Sequence, residues 1–224
     1  MGYFFAAGTG VAAGDPESWA LLKRNCPISF SRTTADCVMV MRSPEALVKR
    51  TADEILAIIK ADKDIQSGNS AKVVELAEQK VLPHFDFERM TRLAVGRNWS
   101  QANDAQKQGL VKEFRTLLVR TYSSSLSQYR NQTIDVKPTK LAPADKDATV
   151  RSAVIQQGGP PIPIDYAMEK TDSGWKVYDV VIDGASLVTT YRGTFNDQVQ
   201  KGGIDGLVKT LQERNRSPAA APKK

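Results

Sequence analysis

Residues 162–182 read IPIDYAMEKTDSGWKVYDVVI, and this stretch decides the fold. Its first half alternates apolar residues (Ile162, Ile164, Tyr166 and Met168) with mostly polar ones, which is typical of a half-buried β-strand. The polar triplet 172–174 contains a glycine and predicts a turn. Residues 175–182 then form a second strand with apolar side chains on both faces. The stretch therefore predicts an antiparallel hairpin.

Two further strands precede this hairpin. Ile134 and Val136 alternate with polar neighbours, and residues 148–156 place Val150, Ser152 and Val154 on one face. A Gly-Gly-Pro-Pro sequence at 158–161 separates the second strand from the third and predicts a turn. Four strands in succession, joined by short turns, predict an antiparallel meander.

Helical patterns lie on both sides of these strands. Ser43 followed by Pro44 predicts a helix start, and Ser70 is expected to cap the next helix. A short helix is expected at residues 87–95, ended by Gly96. A long helix begins after Asn103, and its continuous face consists of Leu110, Phe114, Leu117, Leu118, Thr121, Tyr122, Ser125, Leu126 and Tyr129. Helical spacing returns after residue 187 and again after residues 202–203, so the fold class is α+β.

The chain has 224 residues, which suits one folded domain with tails. Residues 1–42 show no sustained period and are predicted to lie outside the domain. The domain is expected to span 43–213, and residues 214–224, rich in Pro, Ala and Lys, are expected to be disordered. No segment is apolar enough to span a bilayer. Residues 3–14 do not resemble a signal peptide, because no Lys or Arg precedes them.

Composition argues against several kinds of function. The net charge of +6 is spread along the chain among acidic residues, so nucleic-acid binding is not expected. Cys26 and Cys37 are the only cysteines and His84 is the only histidine, which is too few for a usual metal site. The sequence also lacks a nucleophile elbow and a phosphate-binding glycine loop. No catalytic residue, metal or cofactor is predicted.

Two alternatives to a binding protein of this fold remain at this point. A small cone-shaped α+β enzyme of the isomerase type could use an acid–aromatic pair such as Asp165-Tyr166 or Tyr178-Asp179. Adjacent strand residues point to opposite faces, however, which separates the members of each pair. The other alternative is a module that binds a protein partner and holds no ligand.

Several motifs, in order, resemble the MlaC or toluene-tolerance family. The first comprises His84-Phe85-Asp86-Phe87, Met90 and Gly96-Arg97-Asn98-Trp99. The second is WKVYDVVIDGASLV at 175–188, followed by Tyr191-Arg192 and Phe195. Between them, Phe114-Arg115, Tyr122 and Pro163-Ile164-Asp165-Tyr166 also fit. The resemblance covers about residues 43–213.

The resemblance implies a periplasmic phospholipid carrier that is not an enzyme. Its partners would be an outer-membrane lipoprotein–porin complex and an inner-membrane ABC transporter with a substrate-binding ring, and its role would be to maintain outer-membrane lipid asymmetry. It would have a strongly twisted antiparallel sheet, several helices and an internal apolar cavity. Phospholipid would be its cargo, and a monomer is expected.

The most apolar alternating positions, together with the face of the long helix, are predicted to line the cavity. They are Phe114, Leu118, Tyr122, Val154, Ile164, Tyr166, Val177, Val181 and Leu187. If Val177 faces lipid, a charge there should abolish lipid binding and leave the fold intact. Arg192 is expected to pair with Asp179 or Asp183, or else with a lipid phosphate.

Overall fold

The computed structural model describes residues 43–127, 132–142, 144–156 and 158–216. Within these ranges the chain forms six α-helices and five strands. The helices are α1 (Pro44–Ala61), α2 (Lys63–Gln66), α3 (Ser70–Lys80), α4 (Phe87–Val95), α5 (Asp104–Ser127) and α6 (Leu187–Arg216). Short 3-10 helices occupy Leu82–His84 and Gly96–Gln101. The predictions for residues 1–42 and 217–224 lie outside the described residues.

The strands form one antiparallel sheet in the order of the chain. They are β1 (Thr133–Val136), β2 (Asp147–Ile155), β3 (Ile162–Thr171), β4 (Gly174–Ile182) and β5 (Ala185–Ser186). The predicted α+β fold and antiparallel meander are thus confirmed. The prediction of four strands missed β5, a two-residue strand that forms where Asp183 and Gly184, both with positive φ, turn the chain back on β4. So short a strand has no detectable period.

Strand β4 contains a β-bulge that changes which residues face the helices. Ala167 pairs with Asp179 and Met168 with Val177, so Tyr178 has no partner across the ladder. One extra residue reverses the alternation on either side of it. Val177 and Val180, rather than Val177 and Val181, therefore share a face. The bulge residue Tyr178 contacts α4: the guanidinium carbon of Arg89 lies 3.7 Å from the centroid of the Tyr178 ring.

Most helix starts follow the local signals in the sequence. The Ser43 side chain accepts a hydrogen bond from the Ala46 N–H, and the Asp86 side chain caps α4 in the same way. Asn103 and Gln106 form a reciprocal capping box at the start of α5. The cap of α3 differs from the prediction: Asn69, rather than Ser70, accepts from the first free N–H groups.

Among the residues that the structure describes, the apolar side chains form two clusters. The main cluster joins α4, α5, α6 and the inner face of the sheet, and its most deeply buried members are Met90, Leu110, Phe114, Val150, Met168, Phe195, Leu207 and Leu211. The smaller one lies within α1–α3 and contains Ile55, Ile59, Ile65, Val73 and Leu76. Helices α1, α4 and α6 approach the strands, whereas α5 packs chiefly against α3, α4 and α6.

Helix α6 is broken at Gly203, whose φ of +68° favours glycine. The chain folds back there, and the Thr210 hydroxyl donates a hydrogen bond to the Gln198 side-chain oxygen at 3.3 Å. The second segment is fastened to α5 by the Asn215 amide, which donates to the Glu113 carbonyl at 2.9 Å. Because the helix continues to Arg216, residues 214–216 are not part of the tail that the sequence predicts from 214.

Arg192 joins α6 to the end of α4. Its Nε and Nη2 donate to the Leu93 carbonyl oxygen at 3.0 and 2.9 Å. Leu93 lies in the last turn of α4, where carbonyl groups have no partner within the helix. The expected pairing of Arg192 with Asp179 or Asp183 is therefore wrong.

Removal of this link is expected to destabilise the protein moderately. Arg192→Ala should lower the free energy of unfolding by about 1 kcal/mol, since two charge-assisted hydrogen bonds at an exposed site are lost. Arg192→Lys keeps the charge with one donor group and should lose less. Denaturant unfolding followed by circular dichroism measures both. If both variants unfold at the wild-type midpoint, water satisfies the Leu93 carbonyl equally well.

Candidate lipid-binding site

The inner face of the sheet carries rows of side chains that cross the strands. The outermost row, Ile134, Val154 and Ile162, lies outside the main cluster, and three further rows contain members of that cluster or pack against it. The first row is Val136, Ser152, Ile164 and Ile182; the second is Val150, Tyr166 and Val180; the third is Ala148, Met168 and Val177. Ser152 is the polar member, and its hydroxyl donates to the Ile164 carbonyl at 2.8 Å, so it leaves no free polar group in the row.

The residues of the third row are buried, whereas the apolar residues of the first row are only half-buried. Met168 and Val177 are fully covered, with 0% and 3% of their surface exposed. Ile164, Ile182 and Tyr166 are only half-buried, although they pack against the main cluster. An apolar surface that is left half-exposed beside a packed core is where apolar cargo could be covered. The first row therefore marks the candidate site.

The long helix α5 contributes the predicted face of Phe114, Leu118 and Tyr122. Phe114 is fully buried, and its ring lies edge-on to those of Tyr191 and Phe195, each at a centroid distance of 5.1 Å. Leu118 is buried too, whereas Tyr122 is half-buried. The face thus runs from packed core at Phe114 to a more open position at Tyr122.

Two tyrosines at that open end, Tyr122 and Tyr191, have raised pKa values. Burial raises the pKa of Tyr122 to about 12, and a contribution from Tyr191 acts in the same direction. Burial also raises the pKa of Tyr191, against the opposing effects of a hydrogen bond from Thr121 and the charge of Arg214. Both phenols are therefore neutral near pH 7 and keep their hydroxyl protons.

Most of the predicted lining residues share this region. Phe114, Leu118, Val177 and Leu187 belong to the main buried cluster, and Tyr122, Ile164 and Tyr166 are half-buried against it. The structure does not bring Val181 to them, because the bulge turns it to the outer face, opposite Asp165. Val154 is buried between Ile134 and Ile162 and is not part of the main cluster. An open internal cavity stays a prediction.

Sequence reasoning missed four residues of this region: Val136, Leu117, Ile182 and Tyr191. Ile182 ends a strand with apolar residues on both faces, and only the bulge shows which face it joins. Leu117 belongs to the continuous helical face, but the helical period does not show which members of that face line the site. Tyr191 precedes Arg192 in the second motif, but the motif does not indicate that its ring packs on α5.

In the acid–aromatic pair Tyr178-Asp179, the carboxylate has structural hydrogen bonds. The Asp179 carboxylate accepts hydrogen bonds from the Ser186 hydroxyl at 2.5 Å and from the Val188 N–H at 3.1 Å. It therefore fixes the corner between β4 and α6. The shallow depression between α1 and α2 is lined by Ile58 and Ala61 but also by charged side chains, which suits water better than acyl chains.

Comparisons with known proteins agree with this geometry. The family model described as MlaC protein matches residues 49–213. Toluene tolerance protein Ttg2D of Pseudomonas putida is 29% identical over 76% of this chain and 79% of its own length. The intermembrane phospholipid transport system binding protein MlaC of Haemophilus influenzae is 25% identical over 79% of this chain and 84% of its own.

A solved structure is similar as well. It is a phospholipid-binding protein from Ralstonia solanacearum in complex with a phospholipid, with a TM-score of 0.72 and 46% sequence identity. The match covers 76% of this chain and 96% of that one. The names of these relatives describe binding, transport and tolerance rather than catalysis, in line with the prediction that the chain is not an enzyme. Since the family model covers well over half of its residues, the chain belongs to the MlaC family.

Proposed function

We propose that the protein is a periplasmic phospholipid carrier that holds acyl chains between the sheet and α5. The observation that carries this proposal is the half-buried apolar row at Ile164 and Ile182, which packs against the same core cluster as Tyr122 of α5. The Ralstonia solanacearum protein of the same fold was solved in complex with a phospholipid. Within the described ranges, no helix is suited to crossing a membrane.

The energetics of lipid transfer explain why such a carrier is needed. Burial of each methylene group gives about 0.8 kcal/mol. Two acyl chains with about thirty methylenes therefore favour an apolar environment by on the order of 20 kcal/mol before opposing terms. A lipid rarely leaves a membrane for water on its own. A carrier lowers this barrier by surrounding the chains, and it needs no catalytic group or cofactor.

The lipid would be exchanged with membrane complexes on either side of the periplasm. We propose an outer-membrane lipoprotein–porin complex and an inner-membrane ABC transporter with a substrate-binding ring as these partners, with the carrier acting as a monomer. The name of the Haemophilus influenzae relative, which places it in an intermembrane transport system, supports this proposal. The maintenance of lipid asymmetry in the outer membrane would follow.

Native mass spectrometry tests the carrier proposal directly. Protein expressed with access to bacterial phospholipid and purified without detergent should carry bound phospholipid. After the lipid is removed, the protein should take up phospholipid from vesicles of phosphatidylglycerol and phosphatidylethanolamine. Circular dichroism provides the control that the depleted protein is folded. Folded protein that neither retains nor extracts lipid would contradict the proposal and favour a module that binds partners without a ligand.

A further inference from the structure

An exposed arginine, Arg214, lies close enough to the half-buried Tyr191 to affect the pKa of its phenol. The Tyr191 ring packs on Phe114, while the Thr121 hydroxyl forms a hydrogen bond to the Tyr191 phenol oxygen. Tyr122 follows Thr121 on α5. This end of the helix thus combines apolar ring surface with several hydroxyl groups.

The break at Gly203 brings Arg214 to the same place. The second segment of α6 runs back along the first, and the Arg120 guanidinium donates a hydrogen bond to the carbonyl of Asn215. Arg120 and Asn215 are the chain neighbours of Thr121 and Arg214, respectively. The opposing effect of Arg214 on the Tyr191 pKa agrees with this proximity.

Arg214 lies in the last turn of α6. Its side chain is exposed, and it forms no ion pair or hydrogen bond within the described ranges. The neighbouring Asn215, in contrast, is buried and bonded to both the carbonyl and the carboxylate of Glu113. The guanidinium is therefore available to an anion from outside the protein fold.

The chemistry of this group of side chains selects one class of anion. Arg214 supplies one permanent positive charge, and the neutral Tyr191 phenol, whose oxygen accepts from Thr121, can still donate its own hydrogen bond. All of them border apolar surface. A phosphate diester has one negative charge, several acceptor oxygens and, in a phospholipid, acyl chains attached through glycerol. It matches both the polar groups and the apolar surface next to them.

We propose that Arg214, with the Tyr191 hydroxyl that Thr121 orients, binds the phosphate diester of the phospholipid head group. This inference rests on the proposed function and adds where the head group is held. The acyl chains then extend from Tyr122 and Tyr191 toward the half-buried row at Ile164.

A comparison of two lipids with identical acyl chains tests the inference. Lipid-depleted protein is mixed with vesicles containing phosphatidylglycerol and diacylglycerol, and the lipid that it extracts is quantified by mass spectrometry. Arg214→Ala should lower the uptake of phosphatidylglycerol about tenfold and leave that of diacylglycerol unchanged, because a charge-assisted hydrogen bond is lost only where a phosphate is present. Tyr191→Phe keeps the ring packing and should cause a smaller loss of the same kind.

Arg216→Ala is the matched control, since Arg216 is also exposed and lies two residues further along the same helix. It should leave the preference for phosphatidylglycerol unchanged. Equal loss of both lipids in Arg214→Ala, or an unchanged preference, would overturn the inference. Saturable binding of free glycerophosphate that depends on Arg214, without an effect on lipid preference, would also overturn it in favour of a soluble ligand. If wild-type protein extracts neither lipid, the proposed function itself fails.

Discussion

Lysine in place of Val180 is expected to unfold the protein, whereas lysine in place of its neighbour Val181 should be tolerated. Val180 is 7% exposed and lies in the main cluster, paired with Tyr166. A charge buried there without a partner costs about 3–5 kcal/mol, a large fraction of the stability of a domain. Val181 lies on the other face of the sheet and pairs with Asp165. The ammonium group of a lysine there can pair with the Asp165 carboxylate across the strands.

Thermal unfolding monitored by circular dichroism separates the two variants. The Val181→Lys protein should unfold within a few degrees of wild type, corresponding to a change of less than about 1 kcal/mol. Val180 and Val181 are adjacent valines, so the two variants make the same chemical change and differ only in the face of the sheet that carries it. The reverse result would be a folded Val180→Lys and an unfolded Val181→Lys. It would show that β4 alternates regularly and would exclude the bulge at Tyr178.

Glutamate in place of Ile164 is expected to abolish lipid binding and leave the protein folded. Ile164 lies in the half-buried first row, where the carboxylate can reach water when no lipid is bound. In the loaded state the same carboxylate would lose its hydration beside acyl chains with nothing to replace it. Copurified phospholipid, measured by extraction and mass spectrometry, should fall more than about tenfold, as expected from a penalty above 1.4 kcal/mol.

Ile155→Glu makes the same chemical change at an exposed site in the adjacent strand, where 40% of the side chain is accessible. It should keep both the fold and the lipid. Val177→Glu, in contrast, should now unfold the protein, because Val177 is only 3% exposed and pairs with the fully buried Met168. A folded Ile164→Glu protein with normal lipid content would place the acyl chains elsewhere.

The revised expectation for Val177 shows what the sequence could not supply. Ile164 and Val177 have the same apolar character and the same strand pattern. Their burial differs because the segment that precedes α4 pairs with β4 at Val177, where Phe85 forms a bridge. That contact joins residues far apart in the chain. Alternation predicts which side chains share a face of a strand, but not which of them the helices cover.

Local signals, in contrast, were sufficient for most of the secondary structure. Ser43, Asp86 and Asn103 mark helix starts through hydrogen bonds to nearby N–H groups, so the sequence carries the whole interaction. The bulge at Tyr178 has no such local marker, and it displaced Val181 from the predicted lining. Arg192 could not be assigned from sequence either, because its partner is a backbone carbonyl contributed by α4.

The second segment of α6 follows every other described element along the chain, yet Leu207 and Leu211 are among the most deeply buried side chains. Asn215 contacts Glu113 across 102 positions of the chain. A nascent chain that lacks this segment leaves Leu110 and Phe114 of α5 without their cover, so its core cannot close. The core therefore closes only after this segment has been synthesised and has packed on α5.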